Sequence, residues 1–167
     1  MNLGDMNNAE ISQAVVDIKS WFSRTKCQKL MNSGASNADL QRLEKGIDAR
    51  LPQALKTLLL EVNGGMYFLE KKQLSADEIQ DAVSANERKS SWKEGLIPFC
   101  GDDSGLLVID TRRGDEVREW DADDGLGDTV SDNIIRFFEE YRNNLLGGHF
   151  EYLDDLGVVE KMGKPRK

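Results

Sequence analysis

Between Leu51 and Gly65 the chain carries a helix with its own start and stop signals, and this unit constrains the fold most. Pro52 suits the first turn, where its missing N–H would be unpaired anyway. Leu55, Leu58, Leu59 and Val62 recur at three- and four-residue spacing, so one stripe must be buried against other elements. Asn63-Gly64-Gly65 then stops the helix, because Asn and Gly tolerate positive φ. The next segment, Met66-Tyr67-Phe68-Leu69, reads as a strand.

The flanking pattern is helical on the N-terminal side. Ile11, Ala14, Val15, Ile18 and Phe22, with Trp21 nearby, predict an amphipathic helix over roughly 10–31, ended by Asn32-Ser33-Gly34. Ser36 and Asp39 form an acidic variant of the capping box and open a short helix through Leu40 and Leu43. Gly46 is expected to close it in a left-handed conformation. Ser75 and Glu78 form a second capping box, before a helix with Ile79, Ala82 and Val83 on one face.

From Trp92 the period changes. Leu96-Ile97-Pro98-Phe99 is a short strand, which Pro98 places at an edge or strand end. Leu106 to Ile109 is buried strand material, Arg113-Gly114 a turn, and Val117 to Trp120 an alternating strand. Together they predict an antiparallel meander. Asp123 to Asp128 reads as a loop, and Ser131 or Asp132 as the cap of a long C-terminal helix bearing Ile134, Ile135, Phe137, Phe138, Tyr141 and Leu145. Gly147-Gly148 ends it, and Phe150 to Leu153 and Gly157 to Val159 form a small appendage. Helices first, antiparallel strands in the middle and a helix last give an α+β fold, with helices packed on an antiparallel sheet. The expected organisation is an N-terminal helix and linker (1–35), a core domain (36–146), and an appendage with a basic tail from Lys161 (147–167).

Charge is unevenly distributed. The net charge is −8. Between Gly101 and Asp132 stand eleven acids and three arginines, an excess of eight that equals the net charge of the whole chain. Such a field repels nucleic acid and favours a basic protein partner. The plain alternative is loop solubility. No stretch approaches the roughly 20 apolar residues of a membrane helix. Met1 to Met6 shows no signal-peptide pattern, and two isolated cysteines, Cys27 and Cys100, fit a reducing compartment. The expected setting is therefore cytoplasmic, as a monomer. Lys164-Pro165-Arg166-Lys167 reads as a solvated tail.

Catalytic and metal chemistry finds little support. The single histidine, His149, sits beside Gly147-Gly148 with no signature linking it to either cysteine. Two distant cysteines and one histidine do not make a zinc site. Read as a calcium loop from Asp121, glycine falls one place early and the closing glutamate is missing. Gly64-Gly65 is not followed by the Lys-Ser/Thr of a phosphate loop, and Arg113-Gly114-Asp115 is a hairpin turn. No cofactor or metal is expected. Trp21 and Trp120 can be core or partner anchors, since interface hot spots favour Trp. Trp92, in a polar stretch, reads as partly exposed.

The order of these motifs resembles the SUKH superfamily, which includes the yeast cell-wall assembly and glucan-synthesis regulators and bacterial toxin-immunity proteins. The residues carrying the resemblance are Leu51-Pro52, Asn63-Gly64-Gly65, Ile97-Pro98-Phe99, the strands Leu106 to Asp110 and Val117 to Asp121 with Trp120, and Phe137-Phe138. The resemblance covers about residues 36–146. It implies an α+β protein-binding scaffold with no shared catalytic residues. The chain lacks the long flanks of the yeast regulators. The expected function is a non-enzymatic interaction domain of regulatory or toxin-immunity type. Its expected surface is Trp92, Asp102, Asp103, Glu119, Asp121, Asp123 and Asp124, meeting a basic partner. A structural subunit using the first helix around Trp21 and Phe22, or a small metal or ligand binder, is the alternative.

Overall fold

The computed structural model describes residues 3–161, with side chains from residue 8 onward; the basic segment 162–167 lies outside the described residues. Five α-helices, a six-stranded antiparallel sheet and a separate two-stranded hairpin make up the α+β fold. The helices are α1 (Leu3–Ser23), α2 (Asn37–Ile47), α3 (Gln53–Glu61), α4 (Ala76–Asn86) and α5 (Ile134–Leu146). The large sheet is a meander of β1 (Tyr67–Phe68), β2 (Lys71–Gln73), β3 (Leu96–Asp102), β4 (Gly105–Asp110), β5 (Glu116–Asp121) and β6 (Gly125–Ser131), in chain order. β7 (Phe150–Leu153) and β8 (Gly157–Glu160) form the hairpin.

Local signals that act within one turn are realised. Both capping boxes form: Ser36 Oγ accepts from Asp39 N and Ser75 Oγ from Glu78 N, each reciprocated by the carboxylate. Pro52 stands at the N-cap of α3, and Leu55, Leu58 and Leu59 are fully buried, worth about 1.5–3 kcal/mol apiece. Gly64 and Gly65 have φ of 93° and 106°. A side chain on Gly65 would strike the Leu30 carbonyl, and one on Gly64 would lie 2.9 Å from Ser75 N. Buried Gln73 ties this turn to the sheet, its Nε2 donating to Val62 O and its Oε1 accepting from Met66 N.

Other boundaries differ from the sequence reading. The expected first helix is two elements: α1 ends at Ser23 and a 3-10 helix, Lys26–Leu30, follows, capped by Thr25 Oγ1 on Cys27 N. This break lets the Cys27 thiol reach the Gly65 carbonyl at 3.2 Å. Gly46 does not close α2; Asp48 takes the left-handed conformation. Gly46 lies inside α2, where the flexible Gln80 side chain of α4 covers it and donates from Nε2 to Gly46 O. The expected loop at Asp123–Asp128 is a hairpin turn followed by β6. Asn133 caps α5 in place of Ser131 or Asp132, because Ser131 is held in β6 opposite Val117. Pro98 lies where β3 has β4 on one side and β2 does not yet reach, beside a bulge at Phe99, consistent with its missing donor.

The sheet has two faces. Ile97, Leu107, Ile109 and Val117 face the main core, filled by α1, α3 and α5. α1 contributes Ile11, Ala14, Val15, Ile18 and Phe22, and the hairpin contributes Phe150 and Val158, to that same cluster. Leu96, Val108 and Trp120 face the other way into a small second cluster with Trp92, Leu106 and Leu126. Burial of Phe22 removes it from the apolar surface that the structural-subunit alternative needs; Trp21 packs edge-on against it, ring centroids 5.0 Å apart.

Candidate functional site: two acidic hairpins at one end of the sheet

The meander brings two acidic turns side by side. The β3–β4 turn carries Asp102 and Asp103, and the β5–β6 turn carries Asp121, Asp123 and Asp124. Pairing of Leu106 with Trp120 sets the start of β4 beside the end of β5. The turns approach so closely at Gly105 that a side chain there would lie 3.4 Å from the Asp121 Cβ. Residues 19 positions apart in sequence, Asp102 and Asp121, thus share one end of the sheet.

The five carboxylates divide by task. Asp102 Oδ1 accepts from Ser104 N (2.8 Å), Ser104 Oγ (2.6 Å), Gly105 N (3.1 Å) and Lys71 Nζ (3.0 Å). Burial pushes its pKa upward, but the Ser104 bonds and Lys71 outweigh that and hold it below the usual aspartate value. Asp121 Oδ1 accepts from Asp123 N (2.9 Å) and Asp124 N (2.7 Å), shaping its own turn. Asp103, Asp123 and Asp124 stand exposed at the tips. Glu119 is exposed on the helix-bearing face of β5.

Trp92 stands apart from this group. Its half-buried ring packs edge-on against Trp120 at 4.9 Å on the opposite face. The neighbouring Ser91 carbonyl accepts from Trp120 Nε1 at 3.0 Å, and Ser91 Oγ donates to Ala122 O at 3.0 Å. The Trp92 segment therefore props the acidic hairpin from behind. Trp120 itself is buried. The same segment carries exposed Arg88, Lys89 and Lys93 alongside exposed Glu87 and Glu94, so its charge is mixed rather than acidic. Of the remaining acids, Asp110, Asp115 and Glu116 flank the β4–β5 turn at the far end beside Arg112 and Arg113, Asp128 is exposed on β6, and Asp132 pairs with Arg136 at 3.3 Å.

Sequence reasoning missed a recess next to the tips. Where the sheet runs past α5, a groove of about 500 Å³ opens, lined by Phe68, Leu107 and Phe137 together with Lys71, Asp102 and Glu119. It draws on all six strands of the large sheet, α5 and β8, so no local signal marks it.

The thiols lie in the interior. Both cysteines are buried, and burial pushes the Cys27 thiol up to about 11 and Cys100 well above the ordinary thiol value. His149 is exposed. Among the described residues, no group of three or more His, Cys, Asp or Glu is placed to hold a metal ion, and no helix is long and apolar enough to cross a membrane.

Residues 34–140 match the SMI1 / KNR4 family (SUKH-1). The chain belongs to that family. The SUKH-1 region holds α2 to most of α5 and all six strands of the large sheet. Its Leu-Pro, Asn-Gly-Gly and Ile-Pro-Phe segments are structural: Leu51 and Phe99 are buried, Pro52 and Gly64-Gly65 bound α3, and Asn63 Oδ1 accepts from Ala76 N at 2.8 Å. Both acidic hairpins lie within the SUKH-1 region. α1 and the β7–β8 hairpin lie outside it yet complete its core.

Proposed function

We propose that this SUKH-1 protein is a non-enzymatic binding module, of regulatory or toxin-immunity type, that engages a basic protein through the acidic end of its sheet. The observation that carries the reading is the juxtaposition of the Asp102–Asp103 and Asp121–Asp124 turns. Asp102 and Asp121 hold the turns rigid, leaving Asp103, Asp123 and Asp124 to present charge from a fixed frame. Preset charge of this kind steers encounter and selects against acidic partners. Glu119 extends the acidic surface along β5, and Trp92 supports it indirectly through Trp120.

The test is capture from the native host with tagged protein, in parallel with a variant carrying Asp103→Lys, Asp123→Lys and Asp124→Lys. A basic protein retained by the first and lost by the second supports the reading. Equal capture by both moves the binding surface elsewhere.

A further inference from the structure

The groove beside the acidic tips has two features that belong together. Its floor is apolar, formed by Phe68, Leu107, Phe137 and Val158. Its apolar rim is open to water: Leu69 is 46% and Val130 43% exposed. Around this apolar centre stand Glu70, Asp102, Glu119 and Glu160, against a single base, Lys71. That base is already engaged, with Nζ 3.0 Å from Asp102 Oδ1 and 3.3 Å from Ser104 Oγ. The groove therefore offers a hydrophobic contact ringed by carboxylates.

From this arrangement we infer that the groove receives an apolar side chain of a partner protein flanked on its own chain by lysine or arginine. The inference rests on the proposed acidic binding end and specifies what docks beside it. Charge complementarity selects the basic flanks, and desolvation of Leu69 and Val130 against an apolar side chain supplies the short-range contact. Uniformly polar basic segments would satisfy the tips and leave the groove wet.

The test is an NMR titration of the isotope-labelled full chain with short synthetic peptides. The first has a central Leu-Phe pair flanked by lysines, the second Ser-Ser at the centre, the third glutamates in place of lysines. The Leu-Phe lysine peptide is expected to shift the amides of Leu69, Leu107, Val130 and Phe137. It should bind about tenfold or more tightly than the Ser-Ser peptide, the ratio expected for burying one large apolar side chain. The glutamate peptide should not bind. Glu119→Lys and Val130→Ser, both at exposed positions, should each weaken the first peptide without unfolding the protein. Equal binding of both lysine peptides, with shifts confined to Asp103, Asp123 and Asp124, overturns the groove and leaves the acidic end standing. Absence of groove shifts with every peptide also overturns it, while the host capture decides the acidic end separately. Binding that emerges only after removal of residues 162–167 assigns the groove to this chain's own tail. Concentration-dependent groove shifts without peptide assign it to a second copy. Either result overturns the partner assignment.

Discussion

Replacing Trp120 with Phe separates a structural tryptophan from a binding one. In the structure its indole faces the small cluster behind the sheet, in edge contact with Trp92, and its Nε1 donates to Ser91 O at 3.0 Å. The substitution keeps an aromatic ring but deletes the donor. Losing the bond costs about 1 kcal/mol, since Ser91 is partly exposed and water can replace the donor. Weakening the edge contact costs about 0.5–1.5 kcal/mol more. The expected loss is about 2 kcal/mol, a fall in Tm of roughly 4–8 °C for a chain of this size. Urea unfolding of the wild type, Trp120→Phe, Trp92→Leu and the double variant measures both the loss and the coupling, expected near 1 kcal/mol. A Trp120→Phe protein within about 0.5 kcal/mol of wild type, the range of ordinary surface changes, would refute this reasoning. An interface anchor would instead leave stability intact and abolish partner capture.

Three further outcomes follow from the geometry. Gly65→Ala combines a φ of 106° with collision against the Leu30 carbonyl; it should cost at least about 1–2 kcal/mol by thermal unfolding, more than an exposed glycine such as Gly114. Asp102 has a lowered folded-state pKa, so its contribution to stability is present above the unfolded aspartate value near 3.9 and is lost as pH falls through the lower folded value. The stability gap between wild type and Asp102→Asn should therefore narrow below about pH 4 in acid titrations of unfolding; a gap independent of pH would contradict the Lys71 and Ser104 contacts. Both thiols should resist a thiol reagent near pH 8 in the native protein and react promptly in urea, because burial keeps them protonated and inaccessible.

How much was legible in the sequence depended on the reach of each signal. Ser36 with Asp39 and Ser75 with Glu78 act within a few residues and form as read, whereas α3 ends earlier than its stop signal, on an extended Val62, and only Gly64 and Gly65 of Asn63-Gly64-Gly65 take positive φ. Gly46 misled because α2 runs past it to Ile47 and the left-handed turn falls on Asp48, which also tolerates that conformation. Gly125 to Asp128 looks like a loop because its composition is turn-like; pairing with β5 makes it a strand. Val117 and Trp120 alternate as expected, but the sequence does not say that the sheet is covered on both faces, with Trp120 and Trp92 meeting behind it. The acidic excess was visible as a count. Its division into a concentrated end, with Asp102 and Asp121 holding the turns, depends on strand register. The groove, assembled from every strand of the large sheet with α5 and β8, had no linear trace.

In the proposed complex, the acidic tips carry the attraction for the partner. The most direct measurement is the binding constant of the captured partner for wild type and the Asp103→Lys, Asp123→Lys, Asp124→Lys variant, each in salt from about 0.1 M to about 1 M. Over that range the screening length falls from about 10 Å to about 3 Å. Wild-type affinity should fall steadily with salt, and the variant should bind weakly with that dependence lost or reversed. Equal affinities for the two proteins, unchanged by salt, would contradict electrostatic attachment at the tips.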